Sequence, residues 1–152
     1  ADMEDPERLE FLKKYLRGWA MGSEFADRNP RAAAEIVFKA LPTTRATYGA
    51  RAGTESLMQI HRTFRGDMAS RAGWGEHDIP AWDAFFKILK DIGMSGIDIE
   101  TTRYVTNDYI AGANDFDKTK VHADADAYVL PEDLAAIDMA DVEAKFYANV
   151  IN

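Results

Sequence analysis

The sequence predicts a mainly α-helical fold. Two observations carry that expectation. Successive segments place apolar residues at helical spacing behind a capping Asp, Asn or Thr or a leading proline. No segment reads as a convincing buried strand, and no glycine-rich turn follows one. The chain has 152 residues, 47% of them hydrophobic, which suits one domain or one piece of a larger domain with apolar side chain to bury. The reading is therefore a single helical unit over residues 1–152.

Asp5-Pro6 opens the first helix, which is expected over Pro6–Ala26, with Asp as cap and proline at the first helical position. Leu9, Leu12, Leu16, Trp19 and Ala26 follow helical spacing. Phe11, Tyr15 and Phe25, with Gly18 and Gly22, define a second face. Two apolar faces predict burial on more than one side, and the glycines predict close backbone approach. Asn29-Pro30 repeats the cap-plus-proline signal, with Ala33, Ile36, Val37, Ala40 and Leu41 as the expected buried stripe. Pro42 disfavours helical geometry at Leu41 and ends that element. Residues 42–53 read as a connection with room for one helical turn. Thr54 then caps a helix carrying Leu57, Ile60, His61, Phe64 and Met68.

Ser70–Asp78 is a loop containing Gly73-Trp74-Gly75, an aromatic anchor on exposed backbone. Pro80 starts the next helix, with Trp82, Phe85, Phe86, Leu89 and Ile92 expected inward and Gly93 as C-cap. Gly96–Thr102 is the one extended stretch, with Ile97 and Ile99 alternating, too short to define a sheet. Thr106 or Asn107 caps a short helix through Tyr109 and Ile110. Phe116–Tyr128 reads as a turn and a short helix, and Pro131-Glu132-Asp133 opens another with acids at its positive end. Asp138 caps the last helix, whose apolar face is Val142, Phe146, Val150 and Ile151.

Composition excludes several chemistries. The net charge is −8 and the basic residues are scattered, which disfavours nucleic acid and anionic membranes as partners. There is no cysteine, hence no disulfide, thiol nucleophile or thiolate metal site. No run approaches the roughly 20 apolar residues of a membrane span, so no membrane insertion is expected. No basic segment followed by an apolar one opens the sequence, and Ala1 is not a natural initiator. The chain is expected to be processed, truncated or cut from a longer one.

The histidines His61, His77 and His122 form no helical metal-ligand pair. His61 falls on an apolar stripe and reads as a core histidine, and Asp78 after His77 reads as a helix cap. Asp124 and Asp126 begin like a calcium loop, but the sixth position is Val129 and the twelfth Ala135. The loop needs glycine and glutamate there. Ser23, Ser56, Ser70 and Ser95 lack a nucleophile-elbow context, and no phosphate loop or dinucleotide fingerprint occurs. No catalytic residue, metal or cofactor is expected, and the chain does not read as an enzyme. Trp19 and Trp82 fit core positions. Trp74 lies on no apolar stripe and is a candidate to close over a ligand or to plug an interdomain groove, with packing as its ordinary alternative. Arg71 and Arg103 are candidates for an anionic ligand, with surface ion pairing as their ordinary alternative.

Ordered motifs carry a resemblance. Pro6-Glu-Arg-Leu-Glu-Phe-Leu-Lys-Lys-Tyr-Leu-Arg-Gly-Trp19 is followed by Phe25-Ala-Asp-Arg-Asn-Pro30-Arg-Ala-Ala-Ala-Glu-Ile-Val37. Then come Gly73-Trp-Gly75, the Trp82–Gly93 helix and Tyr104-Val-Thr-Asn-Asp-Tyr-Ile110. In this order the chain resembles, over roughly residues 6–128, the substrate-binding proteins of ABC importers that handle nitrate, sulfonates, taurine and thiamine-precursor pyrimidines. The resemblance implies the C-terminal helical portion of a two-lobed type II periplasmic-binding-protein (α/β) fold. It implies that the N-terminal half, with much of the first lobe's sheet and many ligand contacts, lies outside this sequence. It also implies a small-molecule solute, an ABC permease as partner and a periplasmic or lipid-anchored extracytoplasmic location. No ligand-contact motif transfers residue by residue, and Leu130–Asn152 falls outside the pattern.

Two function classes follow. The first is the solute-binding component of an ABC-type importer, working by lobe closure through population shift. The second is a stand-alone helical protein-interaction module whose apolar grooves receive a partner helix. Families built on the same lobes include pyrimidine-synthesis proteins, so an enzyme is a third class, which a histidine essential for turnover would support. With a partner surface missing, the helices are expected to pack on one another or on a second copy, so self-association is expected.

Overall fold

A computed structural model describes the backbone of residues 5–150 and the side chains of residues 5–145. Among the described residues the chain is mainly α-helical and contains no strand. The helices are α1 (Pro6–Arg28), α2 (Pro30–Ala40), α3 (Pro42–Arg65), α4 (Ile79–Asp91), α5 (Ile110–Ala113), α6 (Lys118–Asp126), α7 (Glu132–Ala135) and α8 (Met139–Val150). Short 3₁₀ turns occupy Met68–Ser70 and Thr101–Arg103. The chain forms two compact units. Of the described residues, the first comprises 5–20 and 68–115 and the second 21–67 and 116–150.

The expected caps form where a short polar side chain precedes a helix. Asp5 accepts the Glu7 N–H at 2.9 Å, Asn29 the Ala32 N–H at 3.1 Å, and Asp78 the Ala81 N–H at 3.1 Å. Asp138 does the same for α8, and Asp117, inside the expected turn, for α6. Each satisfies an N–H that the helix cannot. Gly93 ends α4 with φ +75°: its N–H reaches the Lys90 carbonyl at 3.0 Å and that of Met94 the Leu89 carbonyl at 2.9 Å. That is a Schellman closure, and a glycine adopts its left-handed residue without a Cβ clash.

The second unit has a defined core. Ala34 and Phe38 of α2, Met58 of α3, Leu134 and Ile137 around α7, and Val142 of α8 pack together. Leu57, Leu130 and Met139 lie against them half-buried. Charge pairs surround this core. Glu35 is only 5% exposed and accepts from Arg45 at 2.8 Å, and Arg45 also binds Asp133. Arg62 bridges Asp27 at 3.1 Å and Glu143 at 3.0 Å. Arg28 holds Asp126 through two hydrogen bonds.

Several expected faces differ. In α2 the stripe Ala33, Ile36, Val37, Ala40 and Leu41 is not the buried one: Ile36 is 46% and Leu41 56% exposed. The core instead takes Ala34 and Phe38, one turn apart, because the Phe38 ring fills the space left by Gly53. The connection at 42–53 is helical from Pro42 and breaks only at Gly49, with φ 75° and ψ 172°. That region is essentially restricted to glycine. Thr54 is therefore no cap; it lies buried inside α3 and its hydroxyl donates to the Ala50 carbonyl at 2.9 Å. On the same helix Ile60 and Phe64 are exposed, and Met58 replaces them in the core. Val142 is buried as expected. The side chains of Phe146 and Val150, and all of Ile151, lie outside the described residues.

The first unit is thinly cored. Its buried side chains are Ala20, Trp74, Thr101 and Ala113. Phe11 and Tyr15 are exposed, so the second face of α1 is not covered at its N-terminal end. A Cβ at Gly18 or Gly22 would meet nothing within 4 Å, so neither glycine serves a close approach. No residue of α4 is fully buried: Trp82, Phe86 and Leu89 are half-buried, while Phe85 and Ile92 face water. The Trp82, Phe85 and Phe86 rings contact one another with centroids 5.5–5.8 Å apart. Gly96–Thr102 is not a strand: it bends at Gly96 and Ile97 and runs into the 3₁₀ turn at Thr101, which is anchored through its hydroxyl to Asp83.

Candidate functional site

The loop at 71–78 has few helical bonds of its own, so its backbone groups need partners elsewhere. Two asparagines supply them. Asn114 accepts the Trp74 N–H at 2.8 Å through Oδ1 and donates through Nδ2 to the Trp74 carbonyl at 3.1 Å. Its Nδ2 also donates to the Ile110 carbonyl at 2.9 Å, which fixes the amide on α5. Asn107 repeats the device: its Oδ1 accepts the His77 N–H and its Nδ2 donates to the His77 carbonyl, both at 2.9 Å. Each amide thus substitutes for a paired strand.

The sequence placed Asn107 or Thr106 as a helix cap. Both are used differently. Asn107 binds the loop, Thr106 accepts the Asp108 N–H at 3.1 Å, and α5 begins only at Ile110. Gly73 makes the Asn114 approach possible. A Cβ there would meet the Asn114 side chain at 2.3–2.6 Å.

Beside this clamped loop lies a cavity of about 340 Å³. The N-terminal part of α1 contributes Tyr15, Leu16 and Trp19 to its wall. The loop contributes Trp74, Gly75 and His77, and the 106–113 segment closes it with Thr106, Tyr109, Ile110 and Ala113. A Cβ on Gly75 would sit 3.6 Å from Ile110 and 3.7 Å from Trp19, so these two side chains flank the loop backbone. Arg17 ties α1 to α5. Its guanidinium donates twice to the Gly112 carbonyl, at 3.2 and 3.1 Å, and lies 3.7 Å from Asp115. An arginine on a helix C-terminal carbonyl is favourable.

Trp74, the candidate ligand residue, is 3% exposed and forms one wall. Arg71 and Arg103 are not among the lining residues. Trp19, expected in a core, is 46% exposed, because it stands at the cavity rim rather than in packed interior. The lining carries no Asp, Glu, Lys or Arg. His77 accepts the Trp82 indole N–H at Nδ1, 3.2 Å away, which assigns its proton to Nε2 in the neutral ring. The rings of His77 and Trp82 meet edge to face at 5.9 Å.

The pairing of loop and wall was not legible in the sequence. Its only trace was a glycine beside a tryptophan and two asparagines about 30 to 40 residues downstream, which single-chain periodicity cannot link.

The second unit carries ion-pair networks. His61 lies 3.6 Å from Asp27 and is half-buried there, and Arg65 and Arg62 contact the same carboxylate. Burial pushes the Asp27 carboxyl up, but His61, Arg65 and Arg62 together outweigh it and hold it below its ordinary value. His122 meets the buried Glu24 at 2.7 Å, with Lys118 3.3 Å away. Among the described residues no group of three or more His, Asp or Glu is placed to hold a metal ion. Nor is any helix among them long and apolar enough to cross a membrane. Comparison with known proteins finds no matching family model, no matching curated protein and no matching solved structure.

Proposed function

We propose that this chain belongs to the solute-binding component of an ABC-type importer and corresponds to the C-terminal helical portion of that two-lobed fold. The single observation that carries the reading is a convergence. The motifs of residues 6–19, 73–75 and 104–110, far apart in sequence, all supply walls of one cavity. A concave, aromatic-lined space with a few polar groups is what small-molecule sites require. The solute is of the nitrate, sulfonate, taurine or pyrimidine-precursor kind. Binding favours a closed state, and a membrane permease recognises that state. The working location is periplasmic or lipid-anchored outside the cytoplasm.

The exposed apolar side chains of the first unit support a missing partner surface. Phe11 is 73%, Ile88 55% and Ile92 62% exposed. The same residues favour the second reading, a helical protein-interaction module, and under both readings the isolated chain associates with itself.

The test is to sequence the gene and its neighbours. The expected result is a βαβ-rich half in the same reading frame, with permease and ATPase genes adjoining. A reading frame encoding the helical part alone, beside no permease, overturns the transport reading in favour of the interaction module.

A further inference from the structure

We infer that the cavity of the first unit takes an uncharged, planar ring bearing a hydrogen-bond acceptor, an inference that rests on the solute-binding reading of that cavity and narrows it. The walls supply flat surface. Tyr15, Trp19, Trp74 and Tyr109 bring aromatic rings from three separate segments to one space. Rings of this kind stack on or meet edge-on another ring. The volume of about 340 Å³ lies at the small end of the range for small-molecule sites, roughly 300–1,000 Å³. That suits a single ring with a short substituent.

Charge decides between the solute classes. Nitrate, taurine or a sulfonate would leave water for a wall without lysine or arginine, and an unpaired ion is costly to desolvate. Arg17, on the same stretch of α1, is occupied by the Gly112 carbonyl and Asp115. The polar groups that remain are the hydroxyls of Tyr15, Thr106 and Tyr109 and the imidazole of His77. With its Nδ1 accepting from Trp82, His77 has only an N–H to offer, from Nε2. A ring carrying a carbonyl or a pyridine-type nitrogen matches that donor. The asparagine clamps on Trp74 and His77 hold the wall before any ligand arrives, which lowers the ordering cost of binding.

The test titrates the whole chain with benzamide, toluene, taurine and nitrate, reading the three tryptophan indole N–H signals by NMR. Benzamide is expected to shift the Trp19 and Trp74 signals saturably and to bind more tightly than toluene, which has the ring without the acceptor. Trp19→Ala is expected to weaken benzamide about tenfold. Tyr15→Ala is the second variant should Trp19→Ala fail to fold, since Tyr15 is 63% exposed. His77→Leu is expected to erase the preference for benzamide over toluene, about fivefold. Saturation of the same signals by taurine or nitrate but not by benzamide overturns the neutral-ring class and leaves solute binding standing. Signals unmoved by every probe overturn the inference, while the gene neighbourhood still decides the transport reading independently.

Discussion

Asn114 holds Trp74 by both of its backbone groups, accepting its N–H at 2.8 Å and donating to its carbonyl at 3.1 Å. The partners are 40 residues apart, and the bond pair places the loop against α5. Because Trp74 is buried, neither of its backbone groups finds easy replacement in water.

Asn114→Ala is therefore expected to cost about 2–3 kcal/mol, the penalty of leaving buried partners unsatisfied. Urea unfolding followed by circular dichroism reads the loss. Tryptophan emission is expected to shift to the red as Trp74 is released. An unchanged midpoint would show that the clamp is not needed for the loop.

Gly73→Ala is expected to act through the same amide, because its Cβ would meet the Asn114 side chain at 2.3–2.6 Å. The cost is about 1–3 kcal/mol in the native background, as for other overpacked sites. In an Asn114→Ala background most of it should vanish. A double-mutant cycle checks this, and additive losses would mean the two residues act separately.

In the second unit Arg45 is the counter-charge of Glu35, whose side chain is only 7% exposed. Lys39 is its other cation, 3.6 Å away and largely in water. Arg45→Met leaves a buried carboxylate poorly paired and is expected to lower the melting temperature. Adding Glu35→Gln should restore at least half. Thermal melts of the two single variants and the double variant decide it. A double variant as unstable as Arg45→Met would remove the buried charge as the cause.

The Asp27 network predicts acid sensitivity. Against the rise that burial would cause, His61, Arg65 and Arg62 hold the Asp27 carboxyl below its unfolded value. A carboxylate of that kind adds stability that is fully present above the unfolded pKa of about 4 and is lost as pH falls through the folded value. Native protein is thus expected to lose stability steeply below about pH 4. Asp27→Asn should flatten that slope while lowering stability at neutral pH. Urea midpoints across pH 2.5–7 provide the measurement, and parallel profiles for the two proteins would exclude Asp27 as a source.

The sequence by itself determined where several helices begin. Asn29, Asp78 and Asp138 cap them through side chains within three residues, so the signal is local; the starts of α3 at Pro42 and of α5 at Ile110 were not legible in it. It also determined the Gly93 stop and the mainly helical class, both consequences of near-neighbour hydrogen bonding and period. Tertiary structure decided which face each helix buries. Ala34 and Phe38 displaced Ile36 and Leu41 because Phe38 had Gly53 to pack on. It decided that residues 42–48 are helical and break only at Gly49, where a positive φ concentrates the bend. It decided the cavity as well. Trp74 was visible as an odd aromatic, but Trp19, His77 and Tyr109 became its neighbours only through Asn107 and Asn114. Periodicity records what a residue does within its own turn of chain. A side-chain amide bonding backbone some 30–40 positions away leaves no period, so only the folded chain reveals it.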